Sequence, residues 1–171
     1  MIKTSGIVFI TFLAQLLPSV SYSQNFGVIL GYSTSDAFIA GGHMINNNFL
    51  YRFSVSFEPS AAKGKEVTEQ KENYGRTVEG TGDYFTTYDL SVGYYFTPEL
   101  NISGEISIGR KKYYTSYIDN RFTDGGYHMI DQSESLLGLG LNAGYQFYSG
   151  IGILIGYNTV REISFALTYD F

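Results

Sequence analysis

Residues 163–171 alternate without a break. Ile163, Phe165, Leu167, Tyr169 and Phe171 are large and apolar, while Ser164, Ala166, Thr168 and Asp170 between them are small or polar. Successive side chains of a strand point to opposite faces, so this is a strand with two unlike faces. A soluble sheet turns its large residues to a core and offers long polar ones to water. Here the second face is too small for that, which leaves few folds open to the chain. The rest of the sequence has to repeat the pattern if the strand belongs to a sheet built this way.

It does repeat. In residues 25–33, Phe26, Val28, Leu30 and Tyr32 oppose Gly27, Ile29, Gly31 and Ser33. In residues 49–58, Phe49, Tyr51, Phe53, Val55 and Phe57 oppose Leu50, Arg52, Ser54, Ser56 and Glu58. Further strands are predicted over 83–96, 100–116, 130–147 and 151–158. Residues 37–45 form another, but Phe38, Ala40, Gly42 and Met44 match Ile39, Gly41, His43 and Ile45 so closely that the register stays open. With 163–171 the count is eight, at about the 9–11 residues that a membrane-crossing strand needs. Asn46-Asn47-Asn48, Thr97-Pro98-Glu99 and Tyr148-Ser149-Gly150 read as tight turns. Residues 59–82 and 117–129 lack periodicity and read as polar loops, the first of them mobile. Short and long connections thus alternate. Aromatic residues gather at the tight-turn end (Phe49, Phe96, Phe147 and Phe171, with Tyr51, Tyr94, Tyr145 and Tyr169 one step in). A second group, Tyr32, Phe57, Tyr84 and Tyr114, sits toward the other end.

Composition narrows the function classes. There are 20 Gly, 16 Tyr and 13 Phe but no Cys, which removes disulfides, a lipidated cysteine and thiolate metal sites. Two His without Cys give no metal-ligand spacing. A net charge of −5 provides no basic footprint for nucleic acid. Lys3, an apolar run over 6–17, Pro18 and the small residues Ser21 and Ser23 form a secretory signal pattern, too short to span a membrane as a helix. The expected organisation is a signal peptide over 1–23 and one barrel domain over 24–171.

The terminal Tyr169-x-Phe171, the alternate apolar residues before it and the count of eight resemble the small eight-stranded outer-membrane β-barrels of the OmpX, Ail and OmpA transmembrane-domain group. The resemblance covers the whole mature chain. It implies an all-β, antiparallel, up-and-down transmembrane barrel, monomeric, with no cofactor and no set activity. It also implies that Phe165, Leu167, Tyr169 and Phe171 form the signal read by the barrel-assembly machinery. A lipocalin-like binder would also have eight strands, but it would bury the large residues that here form the broader face.

Four charges carry inward parity: Arg52, Asp89, Glu105 and Glu162. An eight-stranded barrel is filled by its own side chains. Arg52 is therefore expected to pair with Asp89 or Glu105 in a plug, with a narrow polar conduit as the alternative. Arg110 and Lys112 continue the outward parity of Ile106 and Ile108 at about the height of the outer-leaflet phosphates, and are expected to contact lipopolysaccharide. Some small barrels modify lipid A with Ser, His and an acid. The residues available for that are His128, Asp124, Asp131 and Ser133, without a His-x-Ser arrangement. The expected role is structural or surface-interacting, with lipid, lipopolysaccharide and an extracellular protein as partners; narrow-pore transport and lipid A modification are the alternatives. The strands around 100–116 and 130–147 exceed a membrane crossing, so the side of the barrel made by 49–58, 83–96, 100–116 and 130–147 should stand above the rim as a sheet, with bare edges on 49–58 and 130–147.

Overall fold

The computed structural model describes residues 25–122, 124–147 and 150–171. The expected signal peptide and its cleavage after Ser23 lie outside the described residues, as do Tyr148 and Ser149 of the last tight turn. The barrel strands are β1 (Asn25–Ser33), β2 (Phe38–Asn46), β3 (Phe49–Phe57), β5 (Thr77–Tyr95), β6 (Leu100–Ile118), β7 (Gly126–Gln146), β8 (Ile151–Asn158) and β9 (Glu162–Asp170). A two-residue strand, β4 (Lys65–Glu66), lies outside the ring. Each barrel strand pairs antiparallel with the next, and β1 pairs with β9, so the sheet closes on itself. The eight-stranded all-β barrel expected from the alternation is what forms.

Closure puts the large residues outside. Leu30 is 65 % exposed and Leu141 68 %, whereas Ser54, Ser56, Asp89, Ser103 and Ser107 are buried. The register of β2 is settled by the same division: Ile39 and His43 are buried while Phe38 and Ala40 point out. Gly27 shows why the interior is rich in glycine. A Cβ there would fall on the His43 ring from the adjacent strand. The Asn47 turn takes φ 55°, a left-handed conformation that Asn tolerates.

Aromatic contacts ring both ends of the outer belt. Phe49–Tyr94, Tyr94–Phe96 and Tyr145–Phe147 meet at 5.1–5.5 Å at the tight-turn end. Tyr32–Phe38 and Phe38–Phe57 meet at 5.2 and 5.7 Å at the other. Tyr114, expected in that second ring, is buried instead beside Tyr84 and His128.

The strands on one side run further than expected. Residues 77–82 are strand rather than loop, and β7 starts at Gly126 rather than at 130. Hydrophobic periodicity fails there because this part of the sheet is raised clear of the apolar belt. The long connection is also not a mobile loop. Its β4 pairs parallel with β7 at Tyr127 and His128, and Gln70 Nε2 donates to Tyr127 Oη at 2.6 Å. Tyr127 is fully buried, stacked on Tyr117 at 5.1 Å and packed by Tyr74 and Phe122.

Candidate functional site

Two features stand apart from a generic barrel: a charged network inside it and a raised sheet above it. The network is built from opposite walls. Asp89 on β5 and Glu105 on β6 point inward by parity, and both are buried. Their cation comes from the β8–β9 connection. Arg161 Nη1 lies 2.8 Å from Asp89 Oδ2, and Nη2 lies 2.7 Å from the Glu105 carboxylate. Asp89 also accepts from Ser56 and Thr87, and Glu105 from Asn142, Asn158 and Ser91. Burying charge is costly unless the remaining lone pairs are filled, and here polar side chains fill them.

Arg52 is buried inside the barrel as parity requires, but it is not the partner of either acid. Its Nη1 donates to Ser103 Oγ at 3.1 Å. Glu162 stays exposed at the rim with φ 60°, accepting from Thr34 Oγ1 at 3.1 Å. That left-handed residue follows a three-residue connection, the usual place for such a kink in a hairpin. Arg161 just before it drops into the barrel, where its side chain is 3 % exposed. Strict alternation could not find Arg161, because the kink lies where alternation stops. The usable signal was the excess of inward acids over inward cations.

A second interior pair closes the seam between the first and last strands. His43 Nε2 lies 2.6 Å from Asp170 Oδ1, reaching across β1 over Gly27. His43 is buried against Asp170, and His128 Nδ1 faces the Lys63 carbonyl at 3.1 Å. Asp131 accepts from Thr115 Oγ1 at 2.6 Å.

Charge and apolarity are thus distributed inside out. Leucines, isoleucines and aromatics face outward around the whole ring, while ion pairs and hydroxyls fill the centre. An apolar belt of this extent is not a surface for water. The fold is that of a small transmembrane β-barrel. No family model and no curated protein matches the chain. Among solved structures it is similar to Ail, the attachment invasion locus protein of Yersinia pestis, at 11 % identity over 86 % of this chain and 95 % of that one, TM-score 0.44. It is also similar to a major outer membrane protein of Thermus thermophilus, at 13 % identity over 88 % and 100 %, TM-score 0.47. A third is Neisserial surface protein A, at 10 % identity over 86 % and 94 %, TM-score 0.43.

The raised sheet is the part of the barrel with unfilled bonding capacity. β3 does not rise with it as expected: it stops where Phe57 meets Thr86, which leaves β5 rather than β3 at that edge, and β8 stops where Asn158 meets Gly140. β5, β6 and β7 continue past both points, with β6 reaching Ile118 and β7 Gly126. Arg110 and Lys112 lie at the foot of this sheet, opposite Ser135 and Ser133 on β7. Lys112 Nζ sits 5.8 Å from the Tyr84 ring centre. At the top, Asp119 accepts from Arg121 Nη2 at 2.5 Å and from the Gly75 amide at 2.8 Å. These bonds hold its carboxyl well below the usual carboxylate range, Arg121 contributing most.

Proposed function

We propose that this protein is exported by a cleaved signal peptide over 1–23, sits in the bacterial outer membrane as a monomeric barrel over 24–171, and works at the cell surface through its raised sheet. The observation that carries the reading is the division of labour in the chain. The interior is filled by a hydrogen-bonded ionic plug, while β5, β6 and β7 extend beyond their neighbours and offer backbone groups to the outside. An exposed sheet edge is a template for a strand from another molecule. Adhesion or envelope integrity through such contacts fits this layout better than transport does, because an open path would have to dismantle the Arg161 network. Binding fits it better than catalysis, since His43 is held by Asp170 and His128 faces a backbone carbonyl.

Two further roles belong to the same proposal. Arg110 and Lys112, on the outer face above the apolar belt, contact the phosphates of lipopolysaccharide. Phe165, Leu167, Tyr169 and Phe171 form the strand read by the barrel-assembly machinery. Replacing Tyr169 and Phe171 by Asn should therefore lower outer-membrane levels, and normal levels would remove that role.

The test of the main reading compares cells that display the full protein with cells that display a trimmed barrel. In the trimmed form, residues 59–83 and 112–133 are replaced by short turns. Surface attachment should be lost while heat-modifiable gel mobility is retained. Unchanged attachment would take the raised sheet out of the account.

A further inference from the structure

The bare stretch of β7 lies between two points where the chain covers its own edge. At the lower point the Thr159 amide donates to the Leu139 carbonyl at 3.0 Å, and the Leu139 amide donates to Thr159 Oγ1 at 3.1 Å. At the upper point the Val67 amide, just past β4, donates to the His128 carbonyl at 2.9 Å. Peptide groups along a strand bond alternately to its two sides. Counting from Leu139, those of Leu137, Ser135 and Ser133 face the open side. The irregularity between Gln132 and Ile130 resets the count, and Ile130 faces the same way as His128. Among the described residues no backbone bond beyond the sheet ends on this stretch.

The two faces beside the opening differ in charge. On the outer face stand Ser133 and Ser135, with Lys112 and Arg110 behind them on β6. On the inner face stand Glu134 and Leu136, and Glu134 accepts from Tyr113 Oη at 3.2 Å. Leu136 borders a groove of about 660 Å³ lined also by Asp36, Glu58, Asp83 and Glu162, the Asp36 carboxylate accepting from Tyr32 Oη at 2.6 Å. Lys111 also lines it, but its Nζ is held by Asp83 at 2.5 Å. Burial and the nearby Asp83 raise the Glu58 carboxyl above its usual range, a sign that negative charge is crowded there.

Resting on the raised edge as the interaction site, we infer that its occupant is an extended polypeptide segment with a basic residue at every second position. The segment adds to β7 between Val67 and Thr159. Backbone bonds to Ile130, Ser133, Ser135 and Leu137 provide the attachment. Period two then sends one set of its side chains over Glu134 and the acidic groove and the other set to the outer face. Lys112 and Arg110 oppose basic residues in the outer set, so the pattern is alternating rather than uniformly basic. A segment of about eight residues, at about 3.3 Å each, spans the opening.

The test uses purified protein in detergent micelles and fluorescence anisotropy of labelled peptides of about eight residues. Alternating lysine and threonine should bind. Alternating glutamate and threonine, and a peptide of the same lysine content with the lysines clustered at one end, should bind at least about tenfold more weakly. Binding of the alternating lysine peptide should fall with added salt, and Glu134→Gln/Glu58→Gln should flatten that dependence. Ser133→Pro/Ser135→Pro should weaken binding by at least about tenfold while heat-modifiable mobility persists. A peptide N-methylated at alternate residues should fail equally, which tests the backbone contact without altering the protein. If the glutamate peptide binds as well and the proline variants lose both peptides, the edge reading stands and the basic-partner inference falls. If proline substitution and N-methylation leave the lysine peptide bound, attachment is ionic adsorption and both fall. Absence of binding by every peptide overturns the inference.

Discussion

Arg161 is a residue on which much of the interior depends. It reaches across the barrel to neutralise two buried carboxylates on the neighbouring strands β5 and β6, at 2.8 and 2.7 Å. Arg161→Leu should leave both acids uncompensated and cost about 3–5 kcal/mol, the usual cost of breaking a buried pair. Denaturant unfolding in detergent measures this. Combining it with Asp89→Asn and Glu105→Gln should recover much of the loss, because amides can keep the hydrogen bonds without the charge. A negligible effect of Arg161→Leu alone would mean that water already reaches the site. Parity placed Arg52, Asp89 and Glu105 on the inner face correctly, since that requires only counting by twos. The partner was not legible, because the direction of Arg161 depends on the left-handed backbone at Glu162. The His43–Asp170 pair was hidden for a different reason. It spans an intervening strand and exists only once the barrel closes over Gly27.

At the scale of elements, the membrane-crossing strands were readable to within a residue or two, since their two faces differ so much in size. β1, β3, β8 and β9 match their expected spans closely. The raised parts of β5 and β7 were harder to bound, because polar residues occupy both of their faces once they leave the apolar belt. The segment after β3 looked mobile because its anchors are single contacts: Gln70 to Tyr127, Gly75 to Asp119, and the β4 pairing. Trypsin added to intact cells should cut first at Lys71, which is exposed and outside any strand, and should spare Lys111 and Lys112 within β6. Cleavage only after lysis would place this end of the barrel on the wrong side of the membrane. The Asp119 anchor also has a pH signature. A carboxyl held below its ordinary range contributes stability that is present above the unfolded-state value, about pH 4, and is lost as the pH falls through its depressed folded value. Exchange protection of the Gly75 amide should therefore survive mild acid and disappear only well below about pH 4. Loss near pH 5 would mean that Arg121 does not hold Asp119 in solution.

For the molecule as a whole, the account joins a closed barrel to an open edge. The filled interior should carry no steady current in planar bilayers; a large stable conductance would contradict the plug. The edge is the central claim, and hydrogen exchange of individual β7 amides in detergent reads it most directly. Amides of Gln132, Glu134 and Leu136 face β6 and should be protected. Amides of Ile130, Ser133, Ser135 and Leu137 face the opening and should exchange fast, so protection should alternate with period two on the barrel side of the irregularity at Asp131 and resume past it. Uniform protection through this stretch would show that something already covers the edge, and uniform fast exchange would show that the sheet does not stand above the rim.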